Sequence, residues 1–157
     1  MSSNHTPPGY KCPICLGLQF IECPDTLLVK SDLIYHDELV SAFINSFWIG
    51  VNRGHVIVVT NEHFENLYML PGYVGERIFT VSQKIAMAMK DAYNCSGISI
   101  RQNNEPAGDQ HAFHYHMHVF PRYENDNFNQ RMAEQSYLSN PIERLAYAQK
   151  IMRSLAK

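Results

Sequence analysis

From Leu33 onward, short apolar runs and polar breaks alternate at spacings that suit a small sheet and one long helix. Leu33-Ile-Tyr-His36, a break at Asp37-Glu38, and Leu39-Val-Ser-Ala-Phe-Ile44 read as a hairpin. Gly54-His55 leads into Val56-Ile-Val-Val59, a continuous apolar run suited to a central strand. Val74, Ile78, Val81, Ile85, Met89 and Ala92 recur at three- and four-residue steps, the period of a helix buried along one side, and Asn94-Cys95-Ser96-Gly97 supplies its stop. Ile98 and Ile100 alternate with Ser99 and Arg101 as in a half-buried strand. A turn over 103–108 precedes a further strand at about 112–122. Asn140-Pro141-Ile142-Glu143 opens a last helix: Asn can cap, Pro fits the first turn, and Glu complements the helix dipole. The order predicts an α+β single domain with a largely antiparallel five-stranded sheet, one long helix and a C-terminal helix. Residues 1–11 are expected as a loose arm, 12–128 as the domain proper with a Cys12-Pro-Ile-Cys15 knuckle at its start, and 129–157 as a helical extension packed on the same domain.

The chemistry concentrates in His114-Tyr115-His116-Met117-His118. On a strand the three imidazoles share one face, with Phe113, Tyr115, Met117 and Val119 on the other. Neighbouring rings then sit ~7 Å apart and the outer pair ~13 Å apart, so all three cannot converge on one tetrahedral metal unless the strand bends. The triple should therefore divide its labour. A neutral imidazole can attack phosphorus or carbon and form a covalent intermediate, while its neighbours fix its tautomer and neutralise developing charge.

Bulk properties narrow the field. At 157 residues, 45% apolar and 18% charged, the chain suits one globular core. A net charge of −2 argues against stable nucleic-acid binding by phosphate neutralisation. No apolar run approaches the ~20 residues of a membrane span, and the N-terminal residues lack a basic start and an apolar core, so no membrane partner and a cytoplasmic address are expected. Four cysteines are too few for a disulfide scaffold. The Cys12-x-x-Cys15 pair points to metal or redox chemistry, and Cys23 and Cys95 read as packing residues.

His114 through Phe120 matches the His-φ-His-φ-His-φ-φ signature, with φ apolar, of the histidine triad family of nucleotide hydrolases and transferases, and the chain resembles that family over roughly residues 12–128. The ending Pro121-Arg122-Tyr123 with Asp126-Asn127-Phe128 is similar to the family's. So are the turn from Asn103 to Gln110 and the block from Gly54 to His63. The resemblance implies that His116 is the nucleophile at the α-phosphorus of a nucleotide and that His118 binds phosphoryl oxygens. It implies that Gln110 and Asn103 position the phosphate, that Asn45 holds the ribose, and that Phe43 and Ile44 form an apolar slot for the base. Cys12, Cys15, His63 and His114 match the structural zinc set of some members. The implied substrate is a dinucleoside polyphosphate or a phosphoramidate that yields a nucleoside 5′-monophosphate, with adenosine the usual base, and the implied assembly is a homodimer.

Three departures stand out. Asp109 looks inserted between Gly108 and Gln110, and His111 stands where many members carry Ser or Thr. His111 is the candidate to protonate the leaving group in place of that hydroxyl. The stretch from Asn45 to Gly54 also looks two residues long for the family, while His5, His36 and His55 read as structural or solvated. Two other readings remain at this point: a mononuclear zinc hydrolase using His114 and His116, and a non-catalytic nucleotide-binding or interaction module. For the Cys pair the alternatives are free thiols or a redox couple.

Overall fold

A computed structural model describes residues 5–157. The main sheet is antiparallel throughout and five-stranded, in the order β1-β2-β4-β6-β5, with β1 Leu33–His36, β2 Val40–Ile44, β4 Val56–Thr60, β5 Gly97–Gln102 and β6 His116–Arg122. The β1–β2 turn closes because the Asp37 carboxylate accepts the Leu39 and Val40 N–H groups at 2.9 Å each.

One face of the sheet carries α2, Gly72–Tyr93, whose Val74, Ile78, Val81, Ile85 and Met89 are buried as their spacing predicts. Val40, Ala42 and Ile44 of β2, Val56 and Val58 of β4, and Val119 of β6 meet them in one apolar cluster. The helix ends at Asn94, which takes the left-handed conformation usually left to glycine. α4, Pro141–Leu155, begins as predicted: the Asn140 side chain accepts the Ile142 N–H at 2.9 Å. It packs beside α2 and buries Ala148 and Ile151 in the same cluster.

Arg144 of α4 is buried and donates to Asp32 at 2.8 Å, to the Ser139 carbonyl at 2.8 Å and to the Leu27 carbonyl at 3.1 Å. Burial pushes the Asp32 carboxyl up, and the guanidinium opposes that shift. The pair ties the last helix to the segment leading into β1.

Four short elements escape the pattern-based reading. α1, Pro13–Leu18, sits inside the cysteine knuckle. β3, Phe47–Ile49, pairs with β7, Ser136–Leu138, in a separate two-stranded sheet, and α3, Phe128–Glu134, packs against both. β3 fills the stretch between Asn45 and Gly54 that looked overlong. Three-residue strands are too short to show a period, and their pairing partners lie far apart in sequence.

The expected loose arm is anchored in its described part. His5 contacts Glu65 at 2.9 Å, and the Tyr10 hydroxyl accepts the Phe113 N–H at 2.9 Å. Residues 1–4 of that arm lie outside the described residues.

Candidate active site and metal corner

The opposite face of the sheet carries the histidines. Register sets a row across it: Phe43 stands opposite Ile57, Ile57 opposite His118, and His118 opposite Arg101. Ile57, His118 and Arg101 of this row floor a cleft of 1030 Å³. One wall comes from the knuckle and residues 24–28, with Ile14 and Leu28. The other comes from β3, α3 and β7, with Phe47, Met132 and Ser136. His55, Asn103, Asp109, His111, His116, His118 and Phe120 also line it.

The histidine strand is shorter than expected. β6 begins at His116, because Tyr115 N–H bonds to the Phe64 carbonyl and His114 N–H to the Ala112 carbonyl, which bends the chain before the ladder starts. The bend divides the triple. His114 turns away from the cleft lining to a corner with Cys12, Cys15 and His63, whose ligand atoms all lie within 4.8 Å of one another. Its Nε2 donates to the Thr60 carbonyl at 2.8 Å, so Nδ1 carries the lone pair and faces both sulfurs at 3.4 Å. Cys15 Sγ is also 3.4 Å from His63 Nδ1. Tetrahedral zinc with ordinary bond lengths places sulfur and nitrogen ligands about 3.5 Å apart, so donor type and spacing both fit the metal. The Thr60 carbonyl is the outer partner that orients such a ligand. Burial, and then the Cys12 sulfur, push the Cys15 thiol up to about 12, which disfavours a reactive thiolate there in the absence of a cation.

His116 and His118 remain in the cleft with rings 4.9 Å apart, edge to face. His116 Nδ1 lies 2.7 Å from the His114 carbonyl. A carbonyl only accepts, so Nδ1 is the protonated nitrogen and Nε2 keeps its lone pair. Burial lowers the His116 pKa, so the ring is neutral at pH 7. His118 Nδ1 meets His55 Nε2 at 3.3 Å and its ring stacks on Phe120, 5.4 Å between centroids. Burial again depresses it, followed by the neighbouring His116, His55 and Arg101 charges.

Sequence reading missed two cleft residues and misplaced two others. His55, treated as structural, lies in the cleft lining; its pKa is lowered to about 3 by burial, and its Nδ1 has no partner among the described residues. Arg101 lies beside His118, and aligning its strand against the histidine strand was the signal that could have found it. Ile44 does not line an apolar slot: strand alternation turns it to the α2 side, where it is fully buried. Phe43 does point to the cleft face, but beneath Ile14, Leu28, Ile57 and Val59. Gln110 is also absent from the cleft. It is buried, donates to the Glu65 and Ala112 carbonyls at 2.6 and 3.1 Å, and accepts the Glu105 N–H at 2.7 Å. It stitches the loop that places its neighbours Asp109 and His111 in the cleft. Asn45 and Asn103 do line the cleft, Asn45 bonded to the Phe47 carbonyl and Asn103 to the Asp109 carbonyl.

Such a layout, a bent histidine strand over an antiparallel sheet with a helix behind it, defines a histidine triad fold. The profile of the HIT domain family matches residues 27–125, and the chain belongs to that family. It is 36% identical to Protein hit of Bacillus subtilis over 95 residues, 60% of this chain and 64% of that relative, so the match spans just under two thirds of the relative's length. A zinc-bound histidine triad family protein from Mycobacterium smegmatis superposes with a TM-score of 0.73 at 25% identity, covering 92% of this chain and 93% of that one. A diadenosine triphosphate hydrolase from Plasmodium falciparum gives a TM-score of 0.71 over 99% of this chain and 90% of that one, but at 16% identity this likeness speaks for the fold alone.

Proposed function

We propose that the protein is a nucleotide hydrolase or transferase that releases a nucleoside 5′-monophosphate, AMP by family habit, from a dinucleoside polyphosphate or a phosphoramidate. The observation that carries this reading is the state of His116: a neutral ring, Nδ1 committed to the His114 carbonyl, and Nε2 left to the cleft. Nε2 attacks the α-phosphorus, a P–N bond forms, and the bond to the leaving group breaks. His111, which lines the same cleft, gives the leaving atom its proton. Water then attacks the same phosphorus, the P–N bond breaks, and the water proton returns to His111. His118 binds the non-bridging oxygens, with His55 behind it fixing its tautomer. Asn103 positions the phosphate and Asn45 the ribose, while Ile57 and Leu28, rather than Ile44, form the base slot.

Cys12, Cys15, His63 and His114 would hold a structural zinc ion that clamps the N-terminal segment to the sheet. The protein acts as a homodimer, paired through the free edge of β5, where Ile100 is exposed. No helix among the described residues is long and apolar enough to cross a membrane, and four cysteines that form no disulfide suit a reducing compartment such as the cytoplasm.

The test is to quench the wild type during turnover of diadenosine triphosphate and of adenosine phosphoramidate. Intact mass should show an acid-labile adduct of one nucleoside monophosphate, absent in His116→Ala. An adduct that persists in the variant removes His116 as nucleophile.

A further inference from the structure

Among the residues lining the cleft, Arg101 is the only lysine or arginine. Its place is fixed by the sheet: β5 sets it directly opposite His118 on the cleft face, one strand beyond the histidines, while Ile57 lies one strand before them. Adjacent strands stand about 4.8 Å apart, so Ile57 and Arg101 stand on the strands to either side of His118. A substrate with its nucleoside over Ile57 and its α-phosphorus at His116 must send its leaving group toward Arg101.

The guanidinium is held but not saturated. Nε donates to Asn103 Oδ1 at 2.9 Å, Nη2 to Asp109 Oδ2 at 3.1 Å, and Nη1 to Met132 Sδ, a weak acceptor, at 2.6 Å. Asp109 is 68% exposed and Arg101 39%, so their ion pair is loose and screened. A phosphate offers the same fork two charge-assisted oxygens and is the stronger acceptor. Asp109 itself is anchored by its backbone, since its carbonyl accepts the Asn103 side-chain N–H at 2.9 Å. Its carboxylate can therefore swing away while the loop stays in place.

We propose that Arg101 is the specificity-determining residue for the leaving group, selecting substrates that carry phosphate beyond the α-phosphorus, and that Asp109 occupies it until such a substrate displaces the carboxylate. This rests on the nucleotide reading above and decides between its two substrate classes. An uncharged amine leaving group would gain nothing from the guanidinium, whereas a polyphosphate would gain a bidentate contact.

The experiment measures binding by calorimetry in the His116→Ala protein, with circular dichroism to confirm folding, using AMP, diadenosine triphosphate and inorganic tripolyphosphate. The same titrations in the wild type with AMP and tripolyphosphate guard against a fold defect in that variant. Adding Arg101→Met should weaken the two polyphosphates about tenfold more than AMP, the size expected for loss of a charged hydrogen-bonded contact. Arg101→Lys should recover only part of the loss, and Asp109→Asn should tighten polyphosphates while leaving the Arg101 dependence in place. Equal weakening of all three probes by Arg101→Met, or no weakening of any, overturns the inference. Tripolyphosphate separates the two claims: Arg101-dependent binding of it with no binding of either nucleotide keeps the anion subsite and ends the nucleotide reading. Tight Arg101-dependent AMP binding without added gain for polyphosphate keeps the nucleotide reading and ends the selectivity claim.

Discussion

His114 and His118 belong to one alternating motif, yet their surroundings share almost nothing. The His114 ring is closed in: Nε2 is committed to Thr60, and Nδ1 faces two sulfurs in a corner where a metal ion fits. The His118 ring meets the rings of His55, His116 and Phe120, with His55 behind it and open cleft in front. A ring whose nitrogens are all spoken for can only hold structure. One with a nitrogen to spare is available for chemistry. The cause of the difference is local: the backbone bends between Ala112 and Tyr115, so the first histidine leaves the row that the other two keep.

The comparison makes unequal demands on substitution. Largest is the effect at His116, where replacement by alanine should cut turnover by roughly 10⁴-fold while the chain still folds, since it removes the proposed attacking group. Retained turnover would mean that the cleft histidines are as structural as His114. At the corner the readouts should exchange places. Metal analysis should find about one zinc per chain, and Cys15→Ser or a strong chelator should lower the melting temperature by about ten degrees, given how much of a small domain's stability a structural zinc can supply. The folded fraction that remains should keep its nucleotide affinity. Loss of binding before loss of fold would join the two regions that the bend separates.

A similar contrast holds between adjacent residues on the loop. Gln110→Ala, which leaves the Glu65 carbonyl and the Glu105 N–H without the partner Gln110 gives them, should cost about 2–3 kcal/mol in urea unfolding. His111→Ala, exposed at the cleft, should cost under about 0.5 kcal/mol yet slow turnover of substrates with poor leaving groups more than of those with good ones. Equal leaving-group dependence in the variant and the wild type would take the proton transfer away from His111.

The smallest effect concerns pH. The folded His55 sits near 3 against 6.5 for a free histidine, because burial penalises its charged form. A depressed folded value means that protons favour the unfolded chain. The contribution is therefore complete above about pH 6.5 and is lost as pH falls from there toward 3. Urea midpoints at pH 7.5 and 5 should fall less in His55→Asn than in the wild type, the remaining fall coming from His114, His116 and His118, which are depressed by the same cause. An identical fall in both proteins would assign the acid sensitivity elsewhere.

What the chain discloses in advance follows its periodicity. α2 was legible from its apolar spacing, α4 from its capping residues, and the five strands from short apolar or alternating runs set between polar breaks, because those signals are local. Cys12, Cys15, His63 and His114 were legible as a set only through the family resemblance, and the structure gathers them in one corner. β3, β7 and α3 were not, since they exist through contacts with one another. Ile44 and Gln110 failed for a related reason: a motif gives the order of residues, but the parity of β2 and the hydrogen bonds of the loop decide which way each side chain points. Arg101 and His55 required knowledge of register, which no single strand carries.

The Arg144 contacts have a consequence for the order of events during synthesis. Leu27 and Asp32 sit at the root of a cleft wall, and the residue that pins them is separated from Asp32 by 112 positions. A nascent chain can form the central strands and the long helix early, but this wall stays without its anchor until the final helix has left the ribosome. The pocket is thus among the last parts of the molecule to take shape, and a chain cut short before α4 would carry every histidine and lack a fixed place to hold a ligand.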